Sequence, residues 1–259
     1  MKKLYIVSTG AGGTNYLTRE AIDAINDSEV IVGYTKYIKE LKLEFGDKEL
    51  FNSGMTKEIA RCDQAIEIAK TGKTTTIVSN GDVNVFGMAT LVVELMDEKD
   101  LWDEVEIVSV PGVSSVFAAA SKVGAPLSQD FAVVSLSDRL TDPDMINKRI
   151  HNALDADFVL AIYNPKSKKR TKPYLDFLEI LSKFDERIVT IAQNVGREAK
   201  EHIAITTSTD IINQGLEHED VGMSTLIIVG NSNSRLTKNG KILTPRGYLH
   251  KYETSGDLK

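Results

Sequence analysis

Four short apolar runs, Leu4–Ser8, Val30–Val32, Thr74–Ser79 and Val105–Val110, punctuate the first half of the chain, and segments of helical period lie between them. Leu17, Ala21, Ile22 and Ile25 recur at helical spacing after the first run. Ile59, Cys62, Ile66 and Ala69 do so before the third, with Thr56 as the expected cap and Gly72 just past the end. Another helix is expected from about Gly87 to Glu98. Strands that alternate with helices pair in parallel through right-handed crossovers. A parallel sheet is covered on both faces, which explains why these runs are continuously apolar rather than alternating.

Pro111-Gly112 breaks the pattern, and Ser114 or Ser115 is placed to cap an alanine-rich helix running to about Val123. The domain junction is expected at this turn, giving domains 1–113 and 114–259; a chain of 259 residues is long enough for two. Strands are expected near Phe131–Leu136, Phe158–Tyr163, Ile188–Ala192, His202–Thr206 and Thr225–Val229. Only one short helical stretch, Thr209–Asn213, separates the last two, a spacing that points to a mixed sheet with some antiparallel pairing. The expected fold class is α/β, with a parallel-sheet N-terminal domain and a mixed-sheet C-terminal domain.

The formal net charge of −6 argues against a general nucleic-acid binder, which needs a basic face to neutralise phosphates. Cys62 is the only cysteine, so an intrachain disulfide and a zinc site built from several thiolates are both excluded. The four histidines show no ligand spacing, and no metal site is expected. The apolar run near the start, Leu4–Val7, is too short for a signal sequence, and no run approaches the ~18–20 residues of a membrane span. A cytoplasmic protein that binds neither nucleic acid nor membrane is the expectation.

Loops at the carboxyl ends of the strands carry the candidate chemistry, because ligands of open α/β sheets bind there. Gly10-Ala11-Gly12-Gly13 permits close backbone approach, but a dinucleotide fingerprint would need glycine where Asn15 stands, and a tight turn explains the loop equally well. Gly72-Lys73-Thr74 follows a helix and enters a strand, the reverse of a phosphate-binding loop, and reads as a helix end. In Asn80-Gly81-Asp82-Val83-Asn84, Asp82 can accept hydrogen bonds from a ligand or close an Asx turn on its own backbone. Pro111–Ser115 can offer hydroxyls and helix N-terminal amides. From Ser135 to Arg170 the chain runs SLSDRLT, a helical pattern, and a buried strand ending in AIYNPKSKKR. That strand end presents Tyr163 and Asn164 and then Lys166, Lys168, Lys169 and Arg170, either a solvated face or a receptor for a ligand with several negative groups.

In order, VGYTKYIKEL (Val32–Leu41), VPGVSSVFAAASKVGAPLSQDFAVVSLSDRLT (Val110–Thr141), DFVLAIYNPKSKKR (Asp157–Arg170), NVGRE (Asn194–Glu198) and TPRGY (Thr244–Tyr248) resemble the tetrapyrrole methylases, enzymes of cobalamin and sirohaem synthesis that depend on S-adenosylmethionine. SLSDRLT, YNPKSKKR and TPRGY resemble most the branch that methylates carbon 17 of precorrin-3B or cobalt-factor III with ring contraction. The resemblance covers essentially the whole chain. It implies a two-domain tetrapyrrole methylase-like fold with the cofactor held between the domains, a tetrapyrrole substrate and a homodimer.

Carried over by motif, the resemblance implies cofactor contacts at Gly10, Ala11, Gly12, Asn80, Gly81, Asp82, Val85, Ser114, Ser115, Tyr163, Asn164, Asn194, Val195, Gly196, Ser224 and Thr225. Asp138, Arg139 and Thr141 are the candidates for substrate orientation or proton handling, and Lys166, Lys168, Lys169 and Arg170 for the acetate and propionate carboxylates. The chain departs from the family pattern where Ala11 and Val83 replace prolines and Asn84 replaces a glycine, with Asn84 expected to tolerate a left-handed turn. These departures leave a cofactor- or tetrapyrrole-binding member without turnover as the alternative.

Overall fold

A computed structural model describes residues 2–42 and 48–259. The chain divides into two compact units: residues up to Ser115 together with Gly196–Glu198, and Val116–Val195 together with Ala199–Lys259.

The first unit runs β1 (Lys3–Ser8), α1 (Arg19–Asp27), β2 (Val30–Tyr34), α2 (Thr35–Lys42), β3 (Glu49–Ser53), α3 (Glu58–Lys70), β4 (Thr75–Ser79), α4 (Ala89–Glu98) and β5 (Glu106–Val110). Its five strands form one sheet in the order β3-β2-β4-β1-β5, and every pairing is parallel. Alternate side chains of the apolar runs point to opposite faces. Leu4, Ile6, Val30, Val32 and Ile77 pack with Cys62, Ile66 and Ala69 of α3 and Val92 and Met96 of α4. Val7, Ile31 and Val78 pack on the other face with Ala21, Ala24 and Ile25 of α1 and Ile38 of α2.

Thr18 starts α1 by accepting the Ala21 N–H at 3.1 Å. The expected cap of α3 is different: Thr56 sits at φ +63°, its hydroxyl donates to the Met55 carbonyl, and α3 begins after Lys57 without a side-chain cap. At the far end Gly72, at φ +99°, donates to the Ala69 carbonyl and terminates the helix.

The second unit continues α5 (Ser115–Val123), β6 (Gly124–Ala125), β7 (Phe131–Ser135), α6 (Pro143–Asp155), β8 (Val159–Tyr163), α7 (Lys172–Leu181), β9 (Ile188–Gln193), β10 (His202–Thr207), α8 (Ser208–Gln214), β11 (Thr225–Val229), β12 (Arg235–Leu236), β13 (Ile242–Leu243) and α9 (Tyr248–Lys251). The main sheet has the order β10-β9-β11-β8-β7. β7 and β8 are parallel; β11 is antiparallel to both β8 and β9, and β10 is antiparallel to β9. The sheet is mixed, as the spacing suggests, but the last two long strands do not pair with each other. β10 and β11 flank β9, so the short helix α8 between them serves as a crossover over that strand. One core, with Ile146 and Ile150 of α6, Tyr174 and Phe177 of α7 and Ile211 of α8, packs against Val134, Leu160, Ile162, Ile191 and Ile227. β12, β13 and β6 make a separate three-stranded sheet. Among the described residues no helix is long and apolar enough to cross a membrane, and no group of three or more His, Cys, Asp or Glu is placed to hold a metal ion.

Candidate active site

In the first unit the candidates collect along the carboxyl edge of the sheet. β1 and β4 are neighbours, yet the helices that follow them leave on opposite faces, α1 with Val7 and Val78 and α4 with Ile6 and Ile77. Such a point of divergence is where open α/β sheets take ligands. Here the backbone itself lines the edge. Gly10 and Gly81 form an isolated antiparallel bridge, with N–H···O distances of 3.1 and 2.7 Å, and both glycines lie at positive φ, +74° and +70°. A Cβ on Gly10 would meet the Tyr16 carbonyl at 2.3 Å, so only glycine fits.

Three side chains fix this edge. Ser8, fully buried, donates its hydroxyl to the Val110 carbonyl at 2.7 Å and accepts the Val83 N–H at 2.9 Å. Thr9 donates to the Asn80 Oδ1 at 3.0 Å. Asp82 Oδ1 accepts the Asn84 N–H at 2.8 Å, and its Oδ2 accepts the Gly112 N–H at 2.9 Å. Asp82 thus closes an Asx turn and also ties the loop after β4 to the loop after β5. Gly112 is the tight point of that contact: a Cβ there would lie 2.4 Å from the Ser8 Cβ and 2.6 Å from the Gly81 carbonyl oxygen. Gly112 lies in the Pro111–Ser115 stretch, but Ser8 has no motif to announce it; a serine closing an apolar strand is its only sequence signal.

The family departures acquire a physical meaning here. Val83 is buried and spends its N–H on Ser8, a bond that proline could not make. Asn84 is not left-handed; the non-glycine left-handed residue of the loop is Phe86, at φ +55° and more than half exposed. Ala11 is buried. Gly196 and Arg197 belong to this unit as well: a Cβ on Gly196 would lie 2.8 Å from the Gly12 carbonyl oxygen, and Arg197 Nη1 donates to the Ala11 carbonyl at 3.4 Å. Ser114 is buried, and Ser115 opens α5.

In the second unit the candidates again share one edge, because β7, β8 and β9 end where β11 begins. Tyr163 ends β8, and its Oη accepts the Val116 N–H in the first turn of α5 at 3.1 Å. Asn164 and Asn194, at φ +52° and +50°, turn the chain after β8 and β9, a conformation asparagine tolerates. Asn194 N–H donates to the Ser224 carbonyl at 2.9 Å, and Val195 is buried beside it. Thr225, also buried, donates to the Asp220 carbonyl at 2.7 Å and accepts the Gly222 N–H at 2.9 Å.

The cationic run divides in two. Lys166 donates to the carbonyls of Leu216 and His218 and lies over the Tyr174 ring, 5.6 Å from its centre. Burial pushes its ammonium below the ordinary lysine range, partly offset by Glu217. Arg170 donates to the carbonyls of Leu136 and of Asn164, the latter at 2.7 Å, and its Nε is 4.0 Å from Asp138. Burial also lowers the Arg170 guanidinium, and Asp138 opposes that shift. Lys168, Lys169 and Arg139 are exposed and form no hydrogen bond or ion pair among the described residues. Thr141 is half-buried, just before Asp142, which caps α6.

Residues 3–212 match the model of the Tetrapyrrole (Corrin/Porphyrin) Methylases. A probable cobalt-factor III C(17)-methyltransferase of Methanocaldococcus jannaschii is 41% identical over 255 residues, covering 96% of this chain and 99% of that one. A second protein of the same description, from Salmonella typhimurium, is 40% identical and covers 95% and 99%. The crystal structure of the methyltransferase CobJ superposes with a TM-score of 0.85 at 30% identity, covering 93% of this chain and 99% of the other.

Proposed function

The chain belongs to the tetrapyrrole methylase family, and from that premise we propose that it transfers a methyl group from S-adenosylmethionine to carbon 17 of cobalt-factor III, with contraction of the macrocycle. The observation that carries this reading is end-to-end similarity to relatives described by that activity, 99% of whose length the chain covers. Precorrin-3B, the cobalt-free counterpart, is the substrate to test beside it.

The donor fits the first unit's edge. Gly10, Gly12 and Gly81, all at positive φ, leave bare backbone where a nucleoside can approach. The loops Gly10–Tyr16 and Asn80–Met88 hold no lysine or arginine, and the Arg197 guanidinium that reaches this edge donates to the Ala11 carbonyl, so a polyphosphate would find little counter-charge there, whereas a ligand carrying a cationic sulfonium needs none. Gly10, Ala11, Gly12, Gly81, Asp82, Val85 and Ser114 are the residues of this unit that we assign to hold it. When bound, S-adenosylmethionine supplies an already activated methyl group, so the transfer itself calls for no strong base. The protein's contribution is alignment, which supplies up to ~7–11 kcal/mol in ideal cases. Contraction moves protons, and in this reading Asp138, the carboxylate of SLSDRLT, handles them with Arg139 and Thr141 orienting the macrocycle.

The test is anaerobic incubation with methyl-labelled S-adenosylmethionine and cobalt-factor III. One labelled methyl per macrocycle, in a contracted product, is the expected result. Tight binding of both ligands with no label transferred would overturn the reading. The resemblance also implies a homodimer, which light scattering on the eluted protein would measure directly.

A further inference from the structure

The loops after β7 and β8 are joined more firmly than their exposure suggests, and Arg170 is at the centre of the join. The Leu136 N–H donates to the Tyr163 carbonyl at 2.9 Å, and Asn164 Nδ2 donates to Ser135 Oγ at 3.0 Å. Arg170 spans both loops, with one guanidinium nitrogen on the Leu136 carbonyl and another on the Asn164 carbonyl, and Asp138 4.0 Å from its Nε. Its own turn is closed by Ser167, whose N–H donates to the Arg170 carbonyl at 2.9 Å and whose Oγ accepts the Arg170 N–H at 3.1 Å. The Arg170 side chain is only 17% exposed. A guanidinium is a rigid fork of donors, and this fork is filled by protein carbonyls.

Arg139, Lys168 and Lys169 are the opposite case: exposed, unpaired among the described residues, and carried by the two loops that Arg170 holds together. Leu140, between Arg139 and Thr141, is 100% exposed. An apolar side chain fully in water and flanked by free cations suits a ligand with a flat apolar body and peripheral carboxylates.

We infer that Arg170 is a positioning residue rather than a carboxylate ligand, and that it sets the two loops so that Arg139, Lys168 and Lys169 together receive the carboxylates of the macrocycle. This rests on the reading of the substrate as a tetrapyrrole polyacid. A lysine at position 170 carries the charge but not the fork, so it cannot hold both carbonyls.

The test is a double-mutant cycle on the full-length protein with R139Q, R170K and R139Q/R170K, together with K168Q/K169Q, assayed for KM and kcat with cobalt-factor III and for affinity with uroporphyrin III and its octamethyl ester. Thermal unfolding serves as the fold control. R139Q and K168Q/K169Q are each expected to raise KM by about 10-fold, the worth of one or two charge-assisted contacts, with little change in kcat. R170K is expected to lower kcat as well as raise KM, and R139Q is expected to cost markedly less in the R170K background, since a displaced loop has already lost the Arg139 contact. Additive effects of R139Q and R170K would make Arg170 an independent ligand and overturn the inference, as would an unchanged KM in K168Q/K169Q. Uroporphyrin III binding that is weakened by these substitutions and absent for the ester would support the receptor even if cobalt-factor III were not turned over, so the two readings fail separately.

Discussion

Replacing Asp82 by alanine tests how the donor edge is built, and its cost can be worked from two contacts. The carboxylate accepts N–H groups of Asn84 at 2.8 Å and Gly112 at 2.9 Å. A hydrogen bond to a charged group contributes about 1.5–3 kcal/mol when sheltered. The Asn84 contact is at the surface, where water competes, and is worth roughly a third of that. The Gly112 contact is half-buried and keeps about 1.5–2 kcal/mol. Asp82→Ala should therefore weaken the loop pair by about 2–3 kcal/mol, while Asp82→Asn, which retains one acceptor oxygen, should lose about half as much. Hydrogen exchange reads this residue by residue: the Gly112 amide in Asp82→Ala should open about 10- to 30-fold more often than in the wild type. Calorimetry with S-adenosylhomocysteine completes the assay, with binding lost in Asp82→Ala. Unchanged protection at Gly112 would refute the staple, and unchanged affinity would remove Asp82 from the donor site.

Gly112→Ala should be worse than Asp82→Ala, since its Cβ would overlap Ser8 and the Gly81 carbonyl; circular dichroism melts should show a loss above ~2 kcal/mol. Cys62 is fully buried, and burial pushes its thiol up to about 12, so the native protein should resist a disulfide reagent at pH 8 and react only when unfolded. Because the folded thiol titrates above its ordinary value of 9.0, the stability it contributes is complete below that value and is lost as pH rises from about 9 to about 12; a Cys62→Ala variant should show a flatter alkaline limb in urea titrations. Tyr174 has a buried hydroxyl with no hydrogen-bond partner among the described residues, so Tyr174→Phe should be neutral or stabilising by up to about 1 kcal/mol, and a loss larger than that would mean the hydroxyl is satisfied.

What the sequence reveals depends on how far each signal reaches. Leu4–Ser8 and Thr225–Val229 are legible because a buried strand needs nothing but a continuous apolar run. β3 is not: Glu49-Leu50-Phe51-Asn52-Ser53 is an edge strand, half-exposed and short, with no run to find. The two-residue strands β6, β12 and β13 have no period at all. Thr56 has the right chemistry for a cap, but its hydroxyl follows a left-handed backbone that no local pattern announces. The same holds for the loop after β4, where the non-glycine left-handed residue is Phe86 rather than Asn84. Some candidate site residues are legible by type and by position at strand ends, while others, such as Val85, Asn194, Val195, Gly196, Ser224 and Thr225, follow only from the family resemblance; each unit gathers its share along one sheet edge. Their partners were not legible. Arg170 reads as one of five consecutive polar or cationic residues, yet one of the two carbonyls that occupy it belongs to Leu136, 34 positions earlier.

The two edges differ in charge, and that difference predicts how salt acts on the two ligands. The loops Gly10–Tyr16 and Asn80–Met88 offer backbone, hydroxyls and one carboxylate already bound to two amides, with no basic side chain of their own and the neighbouring Arg197 guanidinium turned to the Ala11 carbonyl. The loops after β7 and β8 offer three exposed cations, unpaired among the described residues, on a chain whose net charge is −6. A polyacid approaching this protein is repelled by the whole and attracted by one patch, so its capture depends on short-range fields that salt removes. The Debye length shrinks from about 10 Å at 0.1 M to about 3 Å at 1 M. Raising sodium chloride over that range should therefore increase the KM for the macrocycle by about 10-fold, as exposed contacts are screened, and should leave the affinity for S-adenosylhomocysteine within about twofold. The K168Q/K169Q variant should show a shallower salt dependence for the macrocycle and none of its own for the donor. Equal salt slopes for both ligands would mean that charge does not distinguish the two edges, and the assignment of donor to one and polyacid to the other would lose its physical basis.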